Sequence, residues 1–368
     1  MKAMLASQPL PLKNSQNSCY VNAILQTLFH CDKFNQSLQK HILIKPETDK
    51  LSNTNNHDQP LFSHIYKLMY ICFVNKNTNL LNNLIKQFRN MTFKSNPYNT
   101  TTITNTANTT LNTTLFQQQD AHEALSLILK TIHQELIPIT PKYNFATFHH
   151  HIHHSNKNQF DEYLRKQYDT LYQSDYSIVS KYFSFQTVNV IECNICKHKP
   201  IKIEKNEQLI LSINNSDTIE TALNEYFAPE IVPYNKKCSN CCNKDCGITI
   251  YTFLLGVPTY LVIVLNRFNI DKKTLKCFKN SKYIDYNDRL CVSPYLLKTS
   301  INIEYSLQSI INHKGQMDNG HYYCYQNYNN VWYKCNDEHI NKLPNNKLGK
   351  HDKDNTYILI YELINDDK

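Results

Sequence analysis

Two Cys-x-x-Cys pairs, Cys193-Asn-Ile-Cys196 and Cys238-Ser-Asn-Cys241, are separated by 41 residues in a chain of 368. No other feature restricts the fold as strongly. Each pair offers two thiolates from one tight turn, and two such turns complete a tetrahedron around Zn²⁺. A site of this kind contributes folding free energy directly, so the two turns are expected to meet in space. It would be structural, with no open position for chemistry. Cys242 can replace Cys241 as the fourth ligand, and Cys246 lies close by in sequence. The bland alternative is a set of reduced, unligated thiols.

Metal ligation is preferred to disulfide bonding because of the setting the sequence implies. The N-terminus, Met1-Lys-Ala-Met-Leu-Ala-Ser-Gln-Pro, has no apolar run of signal length. No segment approaches the ~20 apolar residues that span a bilayer. A reducing compartment, cytoplasmic or nuclear, is therefore expected, where clustered cysteines are ligands or nucleophiles. The Asn-x-Thr triplets at Asn99, Asn108 and Asn112 are then unused. Net charge is +8, but the lysines are scattered rather than striped, so neither a nucleic-acid nor a membrane partner is expected.

Periodicity places helices first and strands later. Residues 1–11 read as a lead-in. Cys19 opens an amphipathic helix carried by Ile24, Leu25, Leu28 and Phe29. Residues 61–90 read as further helix, with Leu61, Ile65, Leu68, Met69 and Cys72 on one face. The Asn/Thr tract from Asn96 to Thr114 reads as a solvated loop. Another helix follows Gln117-Gln-Gln-Asp-Ala-His-Glu, carried by Leu125, Ile128, Leu129 and Ile132. The run His149-His-His-Ile-His-His154 lies in a polar stretch and reads as loop rather than metal site. After residue 182 come β-branched and aromatic runs: Thr187–Ile191, Gln208–Ile213, Tyr260–Leu265 and Thr356–Tyr361. This order argues for an α+β fold.

Two further segments, with Cys19 and His321 302 positions apart, carry the chemistry. One is Asn14-Ser-Gln-Asn-Ser-Cys19-Tyr-Val-Asn; the other is Gly320-His321-Tyr-Tyr-Cys-Tyr followed by Trp332-Tyr-Lys-Cys-Asn336-Asp337. Free N–H groups at a helix start stabilise a thiolate, and a nearby imidazole does so further. His321 can supply that imidazole, Asn336 can fix its tautomer, and Asn14 can turn its amide toward an oxyanion. Two of the chain's five glycines, Gly315 and Gly320, fall just before His321, a sign of close backbone approach. Taken singly, Cys19 and His321 are equally compatible with a small buried hydrophobe and a core histidine.

The segments together resemble the signature boxes of the ubiquitin-specific proteases, papain-like deubiquitinating enzymes. Leu12, Asn14, Asn17, Cys19, Tyr20 and Asn22 match the first box. Tyr305, Leu307, His313, Gly315, Gly320, His321, Tyr322, Tyr325, Trp332, Tyr333, Asn336 and Asp337 match the second. Gln118–Glu123 resembles an internal motif of the family, and Pro258–Phe268 resembles the strand before its C-terminal half. The resemblance runs from Leu12 to Glu362 in the family's order.

That resemblance implies a papain-like domain over 12–366, with a helical thumb (12–135), zinc-tipped fingers (182–255) and a palm (256–366). It implies that Cys19 is the nucleophile, His321 the base and then acid, and Asn336 the third triad member with Asp337 as assistant. Asn14 and the Cys19 N–H would form the oxyanion hole. Asp120, Gln119, His313, Gly320 and Tyr322 would meet the C-terminal tail of ubiquitin, Asp120 through its basic residues, with a plain helix N-cap as that residue's other role. His313 to Asn319 would be a mobile loop beside the cleft. Cys193, Cys196, Cys238 and Cys241 would be the zinc ribbon. The partners implied are ubiquitin and ubiquitinated proteins, and the chain is expected to act as a monomer. The sequence departs from the family pattern at Pro11, Gln16, Ser18, Ala23 and Cys335. Gln16 matters most, because a glutamine at positive φ costs about 1–2 kcal/mol.

Overall fold

The computed structural model describes residues 8–15, 17–42, 62–94, 119–137, 159–236, 238–241, 246–270, 273–274, 276–297, 302–316, 320–348 and 352–364. Gln16, Cys242, the tract at 96–114, the histidine run at 149–154 and positions 317–319 before His321 lie outside them.

Helices lead the chain: α1 (Cys19–Phe29), α2 (Asp32–His41), α3 (Phe62–Val74), α4 (Thr78–Lys94) and α5 (Ala121–Leu136), then α6 (Gln159–Gln173) and α7 (Ile178–Phe183). The expected helix over 61–90 is two helices. Lys76 takes a left-handed φ of 56° and ends α3. The Asn77 side chain then accepts from Leu80 N at 3.2 Å, which caps the start of α4. Ile65, Met69 and Cys72 are buried as the pattern required, but Leu68 is 37% exposed and lies at the edge of that face.

Strands follow: β1 (Phe185–Cys193), β2 (Ile201–Asn206) and β3 (Leu209–Ser212), the short helix α8 (Ile219–Tyr226), then β4 (Glu230–Lys236), β5 (Cys246–Gly256) and β6 (Tyr260–Asn266). The hairpin β7 (Phe268–Ile270) and β8 (Cys277–Lys279) precedes β9 (Arg289–Cys291), β10 (Glu304–Gly315), β11 (Gly320–Tyr328), β12 (Val331–Asn336), β13 (His339–Lys342) and β14 (Thr356–Leu363). One sheet runs β2-β1-β5-β4. A larger one runs β13-β12-β11-β10-β14-β6-β3, with β9 also paired to β10. Only the β3–β6 pairing in the large sheet is parallel. The result is the expected α+β architecture.

The central strands of the large sheet are buried on both faces, and strand periodicity decides which residue goes where. Along β6, Tyr260, Val262 and Val264 join the core beneath α1–α5. Leu261, Ile263 and Leu265 join a second core beside α8. Strand β11 divides likewise, with Tyr322 and Cys324 in the first core and Tyr323 and Tyr325 in the second. At the end of β6 the fully buried Arg267 donates to the carbonyls of Thr356, Asn280, Lys282 and Lys353, tying the β7–β8 hairpin to the sheet. No helix among the described residues is long and apolar enough to cross a membrane.

Helix α1 is the centre of the first core, because all its residues are buried. Helices that are covered all round satisfy their polar side chains internally. Asn22 donates to Lys13 O at 3.3 Å, Gln26 to Leu10 O, and Thr27 to Ala23 O at 3.0 Å. Leu25 has no exposed surface. Truncation there leaves a cavity that its neighbours fill only in part, so Leu25→Ala is expected to lower stability by about 3 kcal/mol in urea unfolding. A loss under about 1 kcal/mol would contradict the rigid packing assigned to α1.

Candidate active site

Cys19 is the first residue of α1, where backbone N–H groups have no intrahelical acceptor. The loop before it folds on itself. Ser15 N donates to Ser18 Oγ at 2.9 Å, and Ser18 N donates to Asn14 Oδ1 at 3.1 Å. Asn17 sits at a left-handed φ of 62°, a conformation asparagine tolerates.

The second and third groups come from the large sheet. Strands β10 and β11 pair Gly315 with Gly320 and Lys314 with His321, which sets the imidazole at the start of β11. Asn336 ends β12, the next strand. The His321 Nε2–H donates to Asn336 Oδ1 at 2.6 Å; an amide oxygen only accepts, so the hydrogen is on Nε2. This leaves Nδ1 as the ring nitrogen open to the Cys19 thiol, whose interaction with the imidazole is the largest effect on its protonation. That interaction first, and the hydrogen bond to Asn336 after it, push the imidazole up to about 9 against the opposing effect of burial.

Asp337 has a different position from Asn336. Its Oδ2 is 3.8 Å from His321 Nε2, beyond hydrogen-bond reach. Its carboxylate instead accepts from Asn14 Nδ2 and Asn22 Nδ2, both at 2.8 Å, while its carbonyl accepts from Leu12 N at 3.0 Å. It therefore ties the loop before Cys19 to the turn after β12. The Asn14 amide keeps a second N–H beyond the one given to Asp337.

A groove of about 520 Å³ is lined by Gln119, Asp120, Phe268, His313, Tyr322 and Tyr357, among others. Asp120 caps α5 by accepting from His122 N at 2.7 Å and Glu123 N at 3.2 Å. Tyr357 also donates to it, lying 2.9 and 2.8 Å from the two oxygens. The N-cap role of Asp120 thus holds, and its carboxylate also faces the groove. Tyr322 holds Ala121 N at 3.4 Å. His313 is buried against Tyr322 and Phe268, with ring centroids 4.6 and 5.2 Å apart. Burial first, then the charges of Lys279 and His321, push it down to about 4, so it is neutral near pH 7. Gly320 is fixed by this packing: a Cβ there would lie 1.8 Å from His313 Nε2.

The four predicted zinc ligands meet at the far end of the smaller sheet. Cys193 closes β1, Cys196 ends the turn after it, and Cys238 and Cys241 flank the turn between β4 and β5. Their sulfurs all lie within 4.8 Å of one another. Cys193 and Cys241 are 3.9 Å apart, and Cys196 and Cys238 are 3.6 Å apart. A tetrahedron with Zn–S bonds of 2.3 Å has sulfurs about 3.8 Å apart, so the donor set fits this ion. The backbone N–H of Cys196, foremost, pushes the Cys193 thiol down to about 6, and that of His198 lowers Cys196.

Every predicted site residue among those described thus falls into one of these clusters. Sequence reading missed two contributors: Tyr357 and the anchoring role of Asp337. Each acts on residues far away in sequence, and neither carries a local pattern that announces it.

The chain matches the family model described as ubiquitin carboxyl-terminal hydrolase over residues 11–361. It is 30% identical over 206 residues to a probable ubiquitin carboxyl-terminal hydrolase of Acanthamoeba polyphaga mimivirus, covering 52% of this chain and 42% of that protein. It is 25% identical to ubiquitin carboxyl-terminal hydrolase 4 of Arabidopsis thaliana, covering 96% and 92%. Against ubiquitin carboxyl-terminal hydrolase 48 of Rattus norvegicus it spans only 21% of that protein's length. Among solved structures it resembles the SAGA Ubp8/Sgf11/Sus1/Sgf73 DUB module bound to ubiquitin aldehyde. There the TM-score is 0.72 and identity 20%, over 99% of this chain and 72% of the other.

The His321 geometry makes a direct expectation. In a proton NMR titration its ring signals should move with a midpoint near 9, because hydrogen bonding favours the charged form. Asn336→Ala removes one of those bonds, so the midpoint should fall toward the usual ~6.5. A midpoint near 6.5 in the unaltered protein would contradict the pairing with Cys19.

Proposed function

The chain belongs to the ubiquitin carboxyl-terminal hydrolase family, and from that premise we propose that it is a deubiquitinating cysteine protease. The observation that carries the reading is the placement of His321 between the Cys19 thiol and Asn336, beside the groove that holds Asp120. In this reading the helices of 12–135 are a thumb, 182–255 the fingers and 256–366 the palm.

The substrate is an isopeptide or peptide bond at the C-terminus of ubiquitin. The Cys19 thiolate attacks the carbonyl carbon of that bond. The oxygen gains charge and is met by the Cys19 backbone N–H and the second N–H of Asn14, while Asp337 holds Asn14 in place. The His321 imidazolium gives its proton to the leaving amine, and a thioester on Cys19 remains. His321 then takes a proton from water, which attacks the thioester, releases the ubiquitin carboxylate and restores the thiolate. Asn336 keeps the ring oriented through both steps.

The groove supports a narrow, extended tail. Gly320 under His313 and the rings of Tyr322 and Tyr357 leave slim passage beside it. The Asp120 carboxylate supplies an acceptor for basic tail residues. Zn²⁺ held by Cys193, Cys196, Cys238 and Cys241 would supply structural rigidity to the tip of the smaller sheet. The similar solved structure carries four named proteins in its module, so the likeness lends no support to a monomeric state.

Ubiquitin carrying a C-terminal electrophile tests the function. A ubiquitin-sized adduct that disappears in Cys19→Ala is expected. Bound ubiquitin without an adduct would mean a non-catalytic binder. Neither adduct nor binding would move the reading to another ubiquitin-like modifier. Elemental analysis tests the metal site: about one zinc per chain is expected, and Cys193→Ser should lose it together with thermal stability. Metal-free protein of unchanged stability would remove zinc from the reading.

A further inference from the structure

Helix α4 contributes no group to the groove or to the triad, yet it grips the loop before Cys19 at two points. Asn82 and Arg89 are seven residues apart, two turns along α4 and on one face. Asn82 Oδ1 accepts from Lys13 N at 2.9 Å. Arg89 Nη1 donates to Ser15 O at 2.8 Å. Lys13 and Ser15 flank Asn14 on either side. The Arg89 guanidinium also lies 6.0 Å from the ring centroid of Tyr20, the residue after Cys19.

Arg89 is only 6% exposed. Burying a guanidinium is costly, and the cost is offset only where its donors are used. Here one donor is spent on the carbonyl of Ser15, on the far side of Asn14 from Lys13, which Asn82 and Asn22 already hold. Asp337 grips that loop through Asn14 and Leu12. Asn82 and Arg89 grip it from α4. The loop between the two grips fixes where the Asn14 amide points, and a displacement of about 1 Å at an oxyanion donor costs roughly 10²-fold in rate.

We propose that Arg89, assisted by Asn82, is a positioning residue that holds the backbone at Lys13 and Ser15 and thereby sets the Asn14 amide in the oxyanion site. The proposal rests on the reading of Asn14 as an oxyanion donor in ubiquitin hydrolysis. Arg89 itself touches no substrate. It acts through Ser15 and Tyr20.

The test uses the full chain and a ubiquitin C-terminal fluorogenic amide. Arg89→Ala is expected to lower kcat about 10- to 100-fold with KM changed less than about 2-fold, because the tail groove is untouched. Arg89→Lys, which keeps the charge and can still donate to one carbonyl, should recover part of the loss. In an Asn14→Ala background, Arg89→Ala should cost little more, since the group it positions is gone. Unchanged kcat, additive losses in the double variant, or a loss of KM and kcat together with melting temperature would each overturn the proposal. If the unaltered chain fails to cleave the ubiquitin substrate, the functional reading fails by itself. The clamp is then read from backbone hydrogen exchange over residues 13–18, which should quicken in Arg89→Ala while α1 stays protected. Unchanged exchange there would overturn the clamp.

Discussion

The complete burial of α1 is the constraint on which the remaining structure depends. A helix with no solvent face needs apolar partners all round, and it finds them among the neighbouring helices on some sides and β11, β10 and β12 on the other. Its polar residues then have to be satisfied within the protein. The side-chain N–H groups of Asn22 and Gln26 find partners by reaching back to the segment before Cys19 and to Asp337, so the same bonds that accompany burial also dock the loop carrying Asn14. The position of Cys19 follows from core packing rather than from any contact of its own side chain.

A second arrangement follows from the large sheet. Because its central strands are covered on both faces, side chains on adjacent positions serve different cores, and the candidate active-site groups come from near the ends of strands. His321 is the second residue of β11 and Asn336 ends β12. The ladder between those strands pairs Cys324 with Cys335, so the two polar groups are held in register by the residues beside them. Asp337 follows in a left-handed turn, φ 51°, which swings its carboxylate away from the ring and toward Asn14 and Asn22. Two neighbouring acceptors thereby take separate tasks.

Much of this was legible in the sequence because it rests on local pattern. The helix at Cys19, the strands around Val188, Leu209, Ile263 and Ile358, and the two cysteine knuckles all announce themselves by period or spacing. The break at Lys76 was not legible. Helical period continues across it, and what ends α3 is a single left-handed residue followed by a cap from Asn77. Leu68 was misplaced for a different reason: it lies at the edge of the face through Ile65, Met69 and Cys72, and periodicity does not say how wide a face the fold covers. Tyr357 and Arg89 escaped for another reason. A tyrosine on an apolar strand and an arginine on a polar helix look ordinary until the fold brings Asp120 and Ser15 beside them.

The burial of α1 has a thermodynamic consequence. Segments that open locally are those with few buried contacts and exposed backbone, and α1 has neither property. It should separate from its surroundings only when the cooperative unit that contains it melts. The thiol proposed as nucleophile, at its first residue, therefore has no inexpensive off state within the native basin. The fraction of chains able to present that thiol equals the fraction that is folded, and modulation of this protein has to act on the loops and strand ends around α1 rather than on the helix itself.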